Sequence, residues 1–146
     1  MFKHAWTVIC REAVINADSN AISILDVFEG LELEATSTET NGPVDISGGI
    51  NLPIGYEIVS YLYREESEKK ESMILHVELD DPKGKNVTKF KQEVAFEAGM
   101  MEMRNRLHIN GLGVKGFGKH KFNIFIEQAK EAKTQVASIP FKLTQK

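Results

Sequence analysis

Apolar residues recur at every second position over most of this chain. In Lys121-Phe122-Asn123-Ile124-Phe125-Ile126, the side chains of Phe122, Ile124 and Ile126 fall on one side of an extended backbone. In Val136 to Leu143 the set Ala137, Ile139, Phe141 and Leu143 does the same. A strand turns successive side chains to opposite faces, so this spacing predicts sheet with one apolar face rather than helix.

Carried along the chain, the pattern predicts eight strands. His4 to Val14 and Ala21 to Phe28 flank Asn16-Ala17-Asp18-Ser19-Asn20, whose side chains cap their own backbone and tolerate left-handed conformations, so they read as a first hairpin. Residues 35 to 49 are too polar and glycine-rich to pack and read as a loop or long crossover. Tyr56 to Arg64 is a third strand, followed by a solvated charged turn at Glu65 to Glu71. Leu75, Val77 and Leu79 alternate with Ile74, His76 and Glu78 up to Asp80-Asp81-Pro82-Lys83-Gly84-Lys85. There proline presets one backbone angle and glycine supplies the positive φ of a tight reversal. Thr88, Phe90, Gln92, Val94 and Phe96 then form the inner side of a strand whose outer side, Lys89, Lys91 and Glu93, is wet, as at a sheet edge. Glu97 to Met103 has helix-forming composition interrupted by Gly99, which leaves a helical turn or a connection open. Strand resumes at Leu107 to Ile109, glycines 111, 113, 116 and 118 read as a flexible hairpin reversal, and two strands close the chain around a polar stretch at 128 to 134.

Strands joined by short turns, with at most short helical turns, predict an all-β antiparallel sandwich, immunoglobulin-like or C2-like, in one domain over residues 1–146. The expected core is Trp6, Val8, Ile22, Ile24, Val27, Ile58, Leu62, Leu75, Val77, Leu79, Phe90, Val94, Leu107, Ile109, Phe122, Ile124, Ile126, Ile139, Phe141 and Leu143. Chain length agrees, since 146 residues can bury a core without staples. A net charge of -3 gives no global field to recruit nucleic acid or an anionic membrane. The one cysteine, Cys10, has no intramolecular partner, and the opening apolar run breaks at Arg11-Glu12, short of a signal segment; both point to a reducing, cytoplasmic setting. No stretch approaches the roughly 20 apolar residues of a membrane helix.

Several constellations imitate chemistry. Gly111-Leu112-Gly113-Val114-Lys115-Gly116 is a literal G-x-G-x-x-G with Glu131 beyond it, but it runs into the period-two strand of Phe122, so the helix whose N-terminus would hold a pyrophosphate is missing. His4, His76, His108 and His120 fall in four different strands without ligand spacing, and Cys10 reads as a small buried residue rather than a nucleophile. The Asp80-Asp81 pair offers too few oxygens for calcium and is followed by lysine. Arg104, Arg106, Lys115, Lys119 and Lys121, with His120, lie near one turn region in sequence and read as a positive rim able to meet an acidic partner. They lack the interleaved exposed aromatics of a single-strand nucleic-acid surface.

Three stretches are similar to a family of small bacterial single-domain β-sandwich proteins of unknown function. They are Ala13 to Phe28, Leu75 to Lys85, and the closing Gly118 to Ile124 with Ile139-Pro140-Phe141-Lys142-Leu143. The shared pattern is an N-terminal hairpin, a strand ending in an Asp-Pro/Glu-x-Gly turn, and a terminal hairpin carrying Phe-x-Ile or a similar pair. The resemblance implies a sandwich and brings no catalytic residues.

The expectation is a cytoplasmic, non-enzymatic module without cofactor or metal that binds another protein or itself, and neither nucleic acid nor membrane. Arg104, Arg106, Lys115, Lys119 and Lys121 are its candidate contact residues. The rival readings are a small-ligand or carbohydrate binder using Tyr56, Tyr61 and Tyr63, and a structural subunit of a phage virion or secretion apparatus.

Overall fold

Residues 1–34 and 45–146 of this computed structural model are described. They form nine strands and no helix: β1 (Phe2–Ile15), β2 (Ile22–Val27), β3 (Gly30–Leu33), β4 (Ile50–Arg64), β5 (Glu71–Asp80), β6 (Asn86–Phe96), β7 (Glu102–Val114), β8 (Gly118–Gln128) and β9 (Thr134–Gln145). A four-stranded sheet of order β2-β1-β4-β7 packs on a five-stranded sheet of order β3-β9-β8-β5-β6. This is the expected all-β sandwich. No helix among the described residues is long and apolar enough to cross a membrane.

The period-two pattern supplies the interior. Leu75, Val77 and Leu79 of β5, Phe122, Ile124 and Ile126 of β8, and Phe141 and Leu143 of β9 meet Ile58 and Leu62 of β4 in one buried cluster. Each fully buried side chain of this size stabilises the fold by about 1.5–3 kcal/mol before entropy is counted. The β5–β6 turn closes as its residues require: Gly84 stands at φ +83°, and the Asp81 carboxylate accepts the amides of Lys83 and Lys85, each at 2.9 Å. These bonds hold that carboxyl below the usual range.

Four expectations change. A ninth strand appears because Gly30–Leu33 pairs with β9, and that pairing is parallel, with Leu31 opposite Leu143. Its four residues are too few to show alternation. The glycine-rich segment is not a hairpin: Gly111 and Gly113 lie inside β7, and β7 and β8 belong to different sheets, so the chain arches across the sandwich at Lys115 to Phe117. Gly111 takes φ +93° with the Asn51 side chain 3.0 Å from where a Cβ would stand, a place only glycine fits. Glu97 to Met100 form a turn rather than helix, Met100 N–H donating to Glu97 C=O at 3.0 Å, and β7 begins at Glu102, before the expected Leu107. Within 35 to 49, residues 35–44 lie outside the described residues; Asp45 to Gly49 form a tight turn that places Ile46 in the core.

The expected core also divides. Val27 is exposed, while Trp6, Val8, Ile22 and Ile24 pack around a separate cluster of Cys10, Ala13 and Val59. The pairing of β1 with β4 shifts register between His4 and Trp6. Downstream of that bulge, Thr7 and Ile9 face the interior and Trp6, Val8 and Cys10 face outward.

Candidate functional site

The two outer faces of the sandwich are unlike. On the five-stranded sheet the outward side is largely polar or charged, and part of it is tied together. Glu78 pairs with Lys133 (2.9 Å) and Lys89 (3.6 Å), His76 with Glu127 (3.0 Å), and Lys133 lies over the Phe125 ring. Alternation puts these groups outside because their neighbours fill the core.

The four-stranded sheet carries more apolar side chains on its outer side, and the β1–β2 hairpin covers part of them: Ala13, Ile22 and Ile24 pack with Cys10 and Val59, both fully buried. β4 is buried on both faces: Tyr56, Ile58 and Leu62 look inward, whereas Glu57, Val59 and Tyr61 look outward. Register then builds three outward rows: Trp6, Tyr61 and Arg104; Val8, Val59 and Arg106; Cys10, Glu57 and His108. Trp6 stacks on Tyr61 with centroids 5.8 Å apart and planes 13° apart. Tyr61 donates its hydroxyl to Glu102, and Arg104 donates to Asn20 Oδ1 at 2.8 Å. A hollow of about 480 Å³ lies among Trp6, Ile22, Tyr61 and Arg104.

Glu57 is 5% exposed. Its carboxylate accepts the Ala13 amide and pairs with Arg106 at 2.8 Å, so a buried charge has both a cationic and a neutral donor. β1 leaves β4 after the Cys10–Glu57 pair and continues beside β2 alone among the described residues. Into the resulting split opens a cleft of about 770 Å³, floored by Phe28, Leu31 and Ile54 and edged by Arg11, Glu57, Arg106 and His108. The β1–β2 hairpin beyond it exposes Val14, Ile15, Leu25 and Val27.

The five cationic residues expected to form one rim are not brought together. Arg104 and Arg106 stand on the outer face of the four-stranded sheet. Lys119 and Lys121 alternate with the buried His120 and Phe122 and therefore stand on the opposite face, and Lys115 sits in the arch between. Closeness in sequence misled because β7 and β8 occupy different sheets. His120 is interior: its Nε2 accepts the Lys115 amide at 3.1 Å, it stacks on Phe141, and burial lowers its pKa. The three tyrosines do not share a surface either. Tyr56 is fully buried, packs against Phe28 and Phe122, and its hydroxyl has no partner among the described residues, whereas Tyr61 and Tyr63 face outward.

Among the described residues no group of three or more His, Cys, Asp or Glu converges for a metal. Cys10 is buried, and desolvation raises its thiol pKa, which disfavours the nucleophilic thiolate. The more apolar outer face itself was missed as a surface, although the signal was legible: Trp6-Thr7-Val8-Ile9-Cys10 and Ile58-Val59-Ser60-Tyr61-Leu62 are apolar on both parities. No family model matches the chain, and no curated protein matches it.

Proposed function

We propose that this protein is a non-catalytic binding module that acts through protein–protein contacts made by the four-stranded sheet. The observation that carries the reading is the asymmetry of the two outer faces. One is charged, with Glu78 paired to Lys133 and Lys89; on the other, the half-buried Trp6, Val8 and Tyr61 lie beside Ile22 and Ile24 of the β1–β2 hairpin, which exposes Val14, Ile15, Leu25 and Val27. The exposed apolar side chains of the hairpin, beside the half-buried Trp6 and Tyr61 and with Arg104 next to them, make a patch of the kind that marks an interface. The single, buried Cys10 fits a reducing cytoplasmic compartment.

A photo-crosslinking residue placed in the host at Tyr63, on the outer side of β4, should give a discrete adduct. The same probe at Lys91, on the outer side of β6, should not. Introducing Trp6→Lys, with the fold checked by far-UV circular dichroism, should remove the Tyr63 adduct. Adducts at Lys91 alone, or a Tyr63 adduct indifferent to Trp6→Lys, would overturn the reading.

A second reading comes from the cleft. Its apolar residues Phe28, Leu31 and Ile54 lie with Arg11, Glu12, Glu57, Arg106 and His108, and Arg106 is paired to Glu57, so Arg11 is the cation that would meet the carboxylate of a small apolar acid. Saturable calorimetric binding of a medium-chain fatty acid, abolished by Ile54→Lys, would support it, and absence of binding would remove it.

A further inference from the structure

We propose that a second copy of this chain pairs with the free edge of β2, joining two four-stranded sheets into one of eight strands. The inference rests on the reading of the four-stranded sheet as the binding surface and names its occupant.

β2 has one neighbour, β1, among the described residues, so one of its sides is an open edge. Proteins usually blunt such edges with lysine, proline, bulges or brevity. The other edges here are treated that way. β6 alternates Lys89, Lys91 and Glu93 on its outer side, and β7 carries Arg104, Arg106 and His108. β3 has four residues. β6 and β7 also close on each other, the Asn105 side chain donating to Gln92 Oε1 at 3.0 Å. β2 differs: Ile22-Ser23-Ile24-Leu25 is uncharged and β-branched or apolar at three of four positions, and its only charge, Asp26, comes at the far end, where the backbone turns to φ +54°.

Which backbone groups face the open side follows from the hairpin. Asn16 N–H donates to Ala21 C=O at 2.8 Å. Antiparallel pairs alternate between hydrogen-bonded and not, so with Val14 opposite Ser23 and Glu12 opposite Leu25, Ser23 and Leu25 direct their amides and carbonyls to β1. Those of Ile22 and Ile24 therefore point to the open side. The Ala13 amide, opposite Ile24 and likewise turned away from β2, is taken up by Glu57, as this alternation requires.

Two outward residues spaced by two are self-complementary about a two-fold axis through Ser23. Ile22 then exchanges both hydrogen bonds with Ile24 of the partner subunit, and Ile24 with Ile22 of the partner subunit. The half-buried side chains of Ile22 and Ile24 then lie opposite each other across the pair. Beyond the ladder, where the backbones of Asp26 and Asn20 turn to φ +54° and +57°, the same alignment brings Asp26 to the end at which the partner's Asn20 accepts from the partner's Arg104, so opposite charges meet twice over by symmetry. A second copy is thus favoured over an arbitrary strand, which would have to supply this spacing and a cation by chance.

Ser23 would face Ser23 of the partner subunit in a non-hydrogen-bonded pair, with Cα atoms about 4.5 Å apart, within the range a disulfide spans. Ser23→Cys should therefore form a covalent dimer under mild oxidation, and Asp18→Cys at the hairpin tip should not; Cys10 is buried and stays out of the reaction. Proline at an edge position whose N–H faces outward spares the chain's own ladder. Ile24→Pro should keep the far-UV spectrum and raise the dimer dissociation constant at least about tenfold by sedimentation equilibrium, for the two outward donors removed across the pair. A wild-type protein that stays monomeric up to millimolar concentration, a dimer indifferent to Ile24→Pro, or equal cross-linking by the two cysteine variants would overturn the proposal. A monomer whose Tyr63 adduct in the host still disappears with Trp6→Lys would overturn the β2 pairing alone and leave the broader reading intact.

Discussion

The buried guanidinium of Arg64 donates to the carbonyl oxygen of Glu97 at 2.8 Å. It also donates to Met100 and Lys69 carbonyls at 2.8 and 2.7 Å, stands 3.6 Å from the Glu71 carboxylate, and lies over the Phe96 ring. One side chain at the end of β4 therefore fixes both the charged turn at residues 65–70 and the turn at 97–101, which also bond directly through Gly99 N–H and Ser67 C=O at 2.7 Å. Arg64→Ala should cost on the order of 3 kcal/mol, since it removes a buried side chain together with three charge-assisted hydrogen bonds to part-buried carbonyls, and urea unfolding would measure it. Arg64→Lys should recover only part, because an ammonium cannot reach three carbonyls arrayed around a planar fork. Equal stability of Arg64→Ala and wild type would refute this role.

That keystone marks where sequence reading stops. Period-two alternation identified β5 and β8 correctly because each has one wet and one dry face, as Leu75, Val77 and Leu79 against His76 and Glu78 make plain. The same reading placed Trp6 and Val8 in the main core, because β1 and β4 are apolar on both faces and parity alone cannot say which is inside; the bulge before Trp6 decides it. Arg64 was read as an ordinary strand terminus, since its environment is assembled from turns 33 and 36 residues away, a relation local pattern does not encode. The dispersal of Lys119 and Lys121 from Arg104 and Arg106 has the same origin, in a crossover between sheets.

His120 gives the fold a pH response. Burial lowers its pKa from the ordinary 6.5, and the Lys115 amide occupies Nε2, so the folded state holds the neutral ring. The unfolded chain consequently binds more protons as pH falls below about 6.5, and stability declines from there until the lowered folded value is reached. His4, also lowered by burial, acts in the same direction. The urea midpoint should drop between pH 7.5 and 5.5, and His120→Gln, which keeps an acceptor without the titration, should flatten that slope. A midpoint that rises as pH falls over this window would contradict the assignment.

Glu57 and Arg106 should prove coupled. Arg106→Met leaves a carboxylate that is 5% exposed without its cation, and the loss is expected at about 2 kcal/mol. Glu57→Gln retains an acceptor for the Ala13 amide and removes the charge, so adding it to Arg106→Met should return part of that loss. A double-mutant cycle on urea midpoints measures the coupling, and strict additivity would mean the pair contributes nothing as a pair.

The separation of the cationic residues yields a directional test of the interface. Arg104 belongs to the more apolar outer face and reaches Asn20, next to the β2 edge, whereas Lys119 and Lys121 project from the opposite sheet. Arg104→Glu should therefore weaken self-association, and most strongly at low ionic strength, where the charge it meets is least screened. The double substitution Lys119→Glu with Lys121→Glu should leave the dimer constant unchanged, because exposed charges on the far sheet lie outside the contact. Combining Arg104→Glu with Asp26→Lys reverses both members of the complementary pair and should restore association towards the wild-type level. Sedimentation equilibrium at two salt concentrations separates the cases: a dimer weakened by the lysine substitutions and untouched by Arg104→Glu would move the interface to the five-stranded sheet.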